Sequence, residues 1–290
     1  MTANFLRKVR VTFNDGTILN PGDDTDPQIK ISFQVERSLS GKANTASMSI
    51  WNLGSGLREA LGKELDTFTI EAGYLPTIGG GNVGVIAKCN IRDVKHERDG
   101  PDIVTNVNGG DGDKALRKAV LSKTWPAGTK GETVLRDLHK ELAKHDIAQG
   151  EWKDLDRLPE FRRPHSMCST CARELDHLGR SGKSYWSIQN HVLEVVPGDG
   201  TIGQMIYVTP ESGLIGSPCI TDNGVTFKVM LNPEIAPGRP VYVSSPMLGE
   251  KGGNYRIGTV TFSGDNRDGG FMAECQAEEI SGGKVNEGGF

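Results

Sequence analysis

The sequence predicts a mainly β fold in which two β-modules flank a small α+β domain. Apolar and polar residues alternate with a period of two through the first hundred residues, which is typical of half-buried strands. Glycine is abundant, at 38 residues without a collagen-like period, so the chain contains many turns. A block with helical spacing interrupts the strands in the middle. The 290 residues suffice for two or three domains with their own cores.

Residues 1–110 form the first predicted β-module. The alternation is clearest where Ile31, Phe33 and Val35 are interleaved with Ser32 and Gln34. One or two helical turns are expected at 57–65. Strands are predicted, in chain order, at 29–35, 46–50, 68–72, 83–94 and 103–107.

Residues 111–197 are predicted to form the small α+β domain. A first helix is indicated by the spacing of Ala115, Leu116, Ala119 and Val120. A second helix begins at the capping box Thr129-x-x-Glu132 and buries one apolar face. The residues expected on that face are Val134, Leu135, Leu138 and Leu142.

A third helix and a hairpin complete this domain. Ser166 is the predicted N-cap of the helix and Gly179 its C′ residue. Its inward side chains are Met167, Cys171, Leu175 and Leu178. Strands at 185–188 and 192–196 are predicted to pair as a hairpin across 189–191.

Residues 198–280 return to short strands and Gly/Pro turns, which predicts the second β-module. Residues 281–290 form a Gly-rich tail, expected to be disordered unless a partner orders it. The proposed modules at the two ends are thus of similar size.

Two glycine-rich segments imitate phosphate-binding loops without their structural context. Residues 79–84 match G-x-G-x-x-G but open a strand instead of a helix. Residues 179–184 are two positions short of a P-loop and end a helix. No kinase H-R-D or D-F-G element and no G-x-S-x-G elbow occurs. No catalytic or cofactor-binding residue is therefore predicted, although carboxylate pairs for glycoside hydrolysis have no local signature.

Four residues are the candidate zinc ligands: His165, Cys168, Cys171 and His177. Structural zinc needs four ligands, commonly from two C-x-x-C pairs or one pair with a histidine pair. Only one C-x-x-C is present, it falls in the predicted third helix, and Cys171 fits that helix's apolar face. Ordinary packing is therefore favoured over metal binding.

Short clusters of charge are predicted to be solvated surface. Asp23, Asp24 and Asp26, and then Asp111 and Asp113, do not match the twelve-residue calcium loop. The basic residues of the middle domain are offset by acidic neighbours. Those basic residues are Lys123, Lys130, Arg162 and Arg163.

Composition excludes several classes of protein. A formal net charge of −4 argues against a dedicated nucleic-acid binder. Five scattered cysteines are typical of assembly in a reducing cytosol. No signal peptide and no run of about 18 apolar residues is evident, so a soluble protein is expected.

Several short motifs occur in a characteristic order. Near the end lie Leu231-Asn232-Pro233 with Pro237-Gly238, then Tyr255-Arg256-Ile257 and Gly264-Asp265. Ala72-Gly73-Tyr74 closes a strand in the first module. In this order the chain resembles the phage tail hub, or baseplate hub, proteins of the late control D group. The resemblance covers most of the chain, and its individual motifs are short.

This resemblance implies a structural role in a virion, assembled in the bacterial cytoplasm. It implies a homotrimer whose six tube-like modules form a pseudo-six-fold ring. The ring joins a six-fold tail tube to a three-fold spike in a contractile tail and surrounds the end of the tape measure. Baseplate wedge components are further expected partners, and DNA passes through the lumen without specific binding. Because no needle or lysozyme extension follows, a separate spike protein is expected.

Other functions stay open at this point. The same chain could be the hub of a phage-derived tailocin. A tail-associated peptidoglycan hydrolase and a host-binding adhesin are the alternatives outside the structural class. Wall degradation by the protein and adhesion to cells are the observations that distinguish them.

Overall fold

The computed structural model describes residues 6–22, 28–75, 81–248, 252–281 and 284–285. Of these residues, 52% lie in strands and 16% in helices, so the predicted mainly β fold is confirmed. Within these ranges, no helix is both long enough and apolar enough to cross a bilayer.

The first predicted module contains each strand that the alternation indicated, together with two more at its start. The short helix α1 (Ser55–Ala60) falls where helical turns were predicted. The strands are β1 (Arg7–Phe13), β2 (Ile18–Leu19), β3 (Ile31–Ser38), β4 (Thr45–Trp51), β5 (Thr67–Tyr74), β6 (Gly84–Asp99) and β7 (Asp102–Gly110).

The middle segment has its own small sheets and its own apolar core. Its helices are α2 (Asp113–Lys118), α3 (Gly131–Ala143) and α4 (Cys171–Ser181). Its strands are β8 (Val120–Trp125), β9 (Thr129–Lys130), β10 (Ala148–Trp152), β11 (Glu160–Phe161), β12 (His165–Thr170), β13 (Ser184–Gln189) and β14 (Val192–Pro197). The predicted hairpin, β13 with β14, is confirmed.

The second helix, α3, buries the four predicted residues, but its predicted start is wrong. Thr129 belongs to β9, and its hydroxyl donates to the carbonyl of Pro126 at 2.8 Å. The helix therefore begins at Gly131, with Lys130 as N-cap and without a capping box. The pairing of β9 with β11 holds Thr129 extended and overrides the local signal.

The third helix was predicted to begin too early. Residues 165–170 form β12, which pairs with β8 along its whole length. Helix α4 begins at Cys171 after the N-cap Thr170, so Ser166 caps nothing. Gly179 lies inside this helix, which Gly182 ends. The first helix, α2, ends at Lys118, before the predicted helical residues Ala119 and Val120. Val120 is instead an exposed strand residue.

The last part of the chain returns to strands, as predicted. A single 3₁₀ turn occurs at Pro210–Ser212 among the described residues of this part. The strands are β15 (Ile206–Val208), β16 (Leu214–Thr221), β17 (Gly224–Met230), β18 (Pro240–Val243), β19 (Gly253–Asp265), β20 (Phe271–Ser281) and β21 (Lys284–Val285). Most of the predicted disordered tail lies outside the described residues.

The strands from both ends of the chain form one large sheet. Its main order is β16-β17-β20-β19-β3-β4-β7-β6-β5-β1-β2. The junction is antiparallel pairing of β19 with β3, from Thr259 opposite Ser38 to Asp265 opposite Ser32. One apolar core runs beneath both parts. The bounds 1–110, 111–197, 198–280 and 281–290 remain a proposed division of the chain.

The two parts of this sheet repeat one strand order. The first part reads β3-β4-β7-β6-β5-β1, and the second reads β16-β17-β20-β19-β18-β15. With β2 and β21 omitted, each part contains six strands. If the six strands of each part are numbered along the chain, their order across the sheet is second, third, sixth, fifth, fourth and first in both parts. One difference is that β1 pairs antiparallel with β5, whereas β15 pairs parallel with β18.

The repeat extends to an irregularity in the longest strands. In β6 the register with β7 shifts between Ile91 and Asp93, so Arg92 is a bulge residue. In β19 the register with β20 shifts between Ile257 and Thr259, so Gly258 is a bulge residue. The two long strands therefore bulge at equivalent places.

Candidate assembly site

The two predicted modules meet around the ring of Phe271, at the start of β20. Phe271 is buried, and the rings of Phe33 and Tyr74 meet it edge-on, with centroids 5.8 and 5.3 Å away. The guanidinium of Arg7 lies 5.5 Å from the same centroid and donates to the carbonyl of Gly269 at 2.8 Å. Side chains from β1, β3 and β5 thus converge on one residue of the second module. We call this cluster the module seam.

Hydrogen bonds join two of the sequence motifs across the module seam. The hydroxyl of Tyr74 donates to the carbonyl of Phe271 at 3.0 Å. Asn82 donates to the carbonyl of Leu231 at 3.0 Å and accepts from the backbone N–H of Tyr74 at 2.8 Å. Burial raises the pKa of Tyr74, which keeps its hydroxyl a donor. The motifs Ala72-Gly73-Tyr74 and Leu231-Asn232-Pro233 therefore act at one place.

Glycine is required sterically in a third motif at the seam. A Cβ atom at Gly264 would lie 2.5 Å from the ring of Phe271 and 2.8 Å from that of Phe33. No real Cβ atom tolerates such contacts without movement of the rings. The motif Gly264-Asp265 thus lets the two aromatic rings pack against the backbone of β19.

Arg256 fastens the end of the middle domain to the second module. It is 1% exposed, and its Nη1 donates to the carbonyls of Pro197, Gly198 and Gly200 at 3.1, 2.6 and 3.1 Å. Its Nε donates to Glu278 at 3.1 Å. Three carbonyls of one loop are therefore held by a single guanidinium, the function of the motif Tyr255-Arg256-Ile257.

Asp111 forms the second attachment, at the start of the middle domain. Its carboxylate accepts from the backbone N–H groups of Asn190 and His191, at 2.5 and 2.8 Å. Close by, the Nε of Arg37 donates to Gln189 at 2.9 Å. Asp111 is only 2% exposed, so its predicted solvated position is wrong. The β13–β14 turn covers it and supplies the donors that water would otherwise provide.

The Asp111 carboxyl gives stability a specific pH dependence. Burial raises its pKa to about 7. As the pH rises from about 4 to about 7, the unfolded carboxyl ionises first, so the free energy of unfolding falls. At about 1.4 kcal/mol per pKa unit, the fall reaches as much as about 4 kcal/mol. We expect Asp111→Asn, which cannot ionise, to lose this contribution.

The measurement is urea denaturation of both proteins between pH 4.5 and 7.5. His191 acts in the opposite direction, because burial lowers its pKa to about 4 and the folded chain gains stability as the pH rises toward 6.5. Since His191 is present in both proteins, the difference between their pH profiles isolates Asp111. Parallel profiles would contradict this assignment.

Several strand segments of the large sheet have an unpaired side among the described residues, and β16 and the second half of β6 are two of them. Strand β16 ends the sheet order and pairs only with β17. Its apolar side chains Ile215 and Ile220 are 39% and 45% exposed. Beyond Ile91, β6 pairs with β7 alone. Open edges of this kind are templates for pairing with another chain.

The zinc candidates are not brought together as one set. Cys168 is exposed on β12, and Cys171 is buried at the start of α4, so the prediction that both lie in the third helix is wrong. His165 and His177 instead flank Glu174, whose Oε1 lies 2.7 Å from His165 Nε2 and 3.5 Å from His177 Nδ1. Sequence reasoning missed Glu174, although its i,i+3 spacing from His177 on one helix is a detectable signal.

The other charged and glycine-rich segments have separate surroundings where the structure describes them. Lys123 pairs with Asp137 at 2.7 Å, whereas Asp113 pairs with Arg92 at 2.8 Å. Residues 179–184 end α4 and enter β13. Part of the segment 79–84, and the cluster of Asp23, Asp24 and Asp26, lie outside the described residues.

Residues 7–277 match the Baseplate hub gp41 family. The chain therefore belongs to the baseplate hub family, which gives it a structural role in the phage tail or baseplate and a place in the virion. None of the curated proteins matches the chain.

Two solved structures with the same fold are described as tail proteins. The 43 kDa tail protein of prophage MuSo2 from Shewanella oneidensis has a TM-score of 0.63 at 11% identity, with 94% of this chain and 98% of that chain covered. The tail protein of Neisseria meningitidis MC58 has a TM-score of 0.62 at 10% identity, with 95% and 97% covered.

A third structure belongs to a secretion machine. The c3393 protein of E. coli, described as a component of the type VI secretion system, has a TM-score of 0.59 at 12% identity. The alignment covers 97% of this chain and 79% of that chain. At such identities these likenesses concern the fold alone.

Proposed function

We propose that this chain is the hub at the end of a contractile phage tail, where it assembles as a homotrimer. Each subunit contributes two β-modules, so three subunits provide six around one axis. The resulting ring joins the six-fold tail tube to a three-fold spike. Its lumen is part of the channel through which DNA leaves.

The observation that carries this proposal is the repeated strand order within one chain. Two modules of equal strand order, joined by β19 and β3, place the same arrangement of strands twice in each subunit. A ring of three such chains has exact three-fold and approximate six-fold symmetry. It can therefore meet a six-fold and a three-fold partner on opposite faces.

The proposed partners are the tail tube protein, a separate trimeric spike, the tape measure protein and baseplate wedge components. The middle domain lies outside the ring in this proposal, where it contacts wedge or spike components. The net charge of −4 suits a lumen that DNA crosses without binding. We assign no catalysis to the chain, since its sequence motifs serve packing at the module seam and at Arg256.

The test is the native mass of the purified protein, alone and mixed with its tail tube protein and spike. We expect a trimer of 3 × 31.3, about 94 kDa, in at least one of these conditions. Light scattering and native mass spectrometry measure it directly. A monomer in every mixture, together with degradation of cell wall by the protein, would overturn the proposal in favour of a hydrolase.

A further inference from the structure

We propose that the ring closes by antiparallel pairing between the second half of β6 in one subunit and β16 in the next. This inference rests on the proposed trimer and specifies which strand edges meet. It follows from the internal repeat, because one junction of the same kind already exists inside the chain. That junction is the pairing of β19 with β3.

The long strands of the two modules change partners at their bulges. The first part of β19 pairs with β18, and beyond Gly258 the strand pairs with β3 instead. The first part of β6 pairs with β5 up to Asn90, and beyond Arg92 that side of the strand has no partner within the described chain. The second half of β6 thus lacks the neighbour that its counterpart has.

Strand β16 is the counterpart of β3 and lacks the complementary neighbour. In the repeated order, β3 stands beside β4 as β16 stands beside β17. The outer side of β3 is covered by β19, whereas the outer side of β16 is open in the described part of the chain. Ile220 on β16 is 45% exposed, although Val35, at the equivalent position of β3, is 1% exposed. The second half of β6 lacks a neighbour equivalent to β3, and β16 lacks a neighbour equivalent to β19. Each strand can therefore supply the neighbour that the other lacks.

The register between the two subunits can be derived from the residue pairs within each module. The derivation begins at the first residue pair after the bulge and passes from each residue to the one that faces it on the next strand. In the second module the ladder runs through residues that face one another in turn: Thr259, Gln276, Thr226 and Cys219. In the first module the same steps lead through Asp93, Asn108, Ser47 and Gln34. Cys219 is therefore equivalent to Gln34.

The internal junction then fixes the pairing between subunits. Gln34 faces Ser263, four residues after Thr259. Four residues after Asp93 comes Glu97. Glu97 of one subunit accordingly faces Cys219 of the partner subunit, and His96 faces Ile220 of the partner subunit.

The second half of β6 borders an open cleft. The cleft has a volume of about 470 Å³ and lies between side chains of this strand and of helix α1. Val94 and His96 line it on the strand side, and Arg58 and Glu59 on the helix side. Because the second half of β6 is largely exposed, pairing there also buries side chains such as Val94 that the single chain leaves partly in solvent.

A single substitution tests the register, since Cys219 is a native, exposed free cysteine. Paired residues of neighbouring strands place their Cα atoms about 4.5–5.5 Å apart, within the range that a disulfide spans. We expect Glu97→Cys, under mild oxidation of the trimeric protein, to give a covalent trimer on non-reducing gels. The wild type stays uncrosslinked under the same conditions.

Two control variants show that the register matters. Asp93→Cys lies four residues, about 13 Å, along the strand from position 97 and should not cross-link to Cys219. Glu97→Cys combined with Cys219→Ser should lose the cross-link. Equal cross-linking by that double variant, or by Asp93→Cys, would overturn the inference.

The outcomes also separate this inference from the proposed function. A trimer by native mass in which Glu97→Cys forms no disulfide would overturn the edge assignment and leave the ring standing. A monomer under all assembly conditions would overturn the ring itself. Because Glu97 is exposed, Glu97→Cys should unfold at the wild-type denaturant midpoint, which verifies that the variant is folded.

Discussion

Replacement of Arg256 by methionine should lower the free energy of unfolding by about 3–5 kcal/mol. The substitution keeps an unbranched side chain of similar length but removes every donor from a site that is 1% exposed. The carbonyls of Pro197, Gly198 and Gly200 then lose the guanidinium, and Glu278 loses its ion pair. Unsatisfied buried polar groups account for most of the expected loss.

Urea denaturation followed by circular dichroism measures this effect. Arg173→Met is the matched control, because Arg173 is exposed on α4, and it should change stability by no more than about 0.5 kcal/mol. Faster proteolysis near residue 200 in Arg256→Met should accompany the loss, since the loop is then held by fewer bonds. A loss below about 1 kcal/mol for Arg256→Met would mean that the loop has other sufficient support.

Truncation of Phe271 to alanine should cost about 3–5 kcal/mol of unfolding free energy. The change removes a buried ring that contacts Phe33 and Tyr74, so it leaves a cavity where the two modules meet. Tyr74→Phe keeps the ring packing and removes only the hydroxyl that donates to the carbonyl of Phe271. It should cost about 1 kcal/mol.

A double-mutant cycle on Phe271→Ala and Tyr74→Phe distinguishes the seam from independent packing. The two residues are in contact, so their effects should not add, with a coupling of about 0.5 kcal/mol or more. Additive effects would indicate that the two residues act separately. If the chain assembles as the proposed trimer, Phe271→Ala should also weaken that assembly, because the seam fixes the relative placement of the two modules.

The strands were predictable where one face of the sheet is buried and the other is exposed to solvent. In β3 and β4 the alternation of burial follows the alternation of sequence. Helix α3 and the β13–β14 hairpin were equally predictable from the sequence, because each depends on local spacing and turn chemistry.

The strand β12 could not be predicted in this way. Met167 and Cys171 have helical spacing, but Met167 pairs with Lys123, which lies 44 residues earlier. Pairing at that separation leaves no local signal. Asp111 was missed for a related reason, since its burial depends on a turn 79 residues further along.

The seam was partly visible in the sequence. The motifs at Gly73, Asn232 and Gly264 were identified by their order, but nothing in their local context shows that they meet at Phe271. The repeated strand order was also hidden, since it is a property of connections and not of residue patterns.

The paired bulges at Arg92 and Gly258 have a consequence for the width of the channel. A bulge bends its strand and increases the local twist, and this chain places one such bend in each module. In the proposed ring of six modules, one such bend would recur in every module and contribute to the curvature of the ring. Shifting a bulge by two residues along its strand would preserve the alternation of side chains between the two faces of the sheet. It would, however, move the point at which the strand bends. In the proposed ring, the positions of these bends would therefore contribute to the bore of the channel, in addition to the side chains that line it.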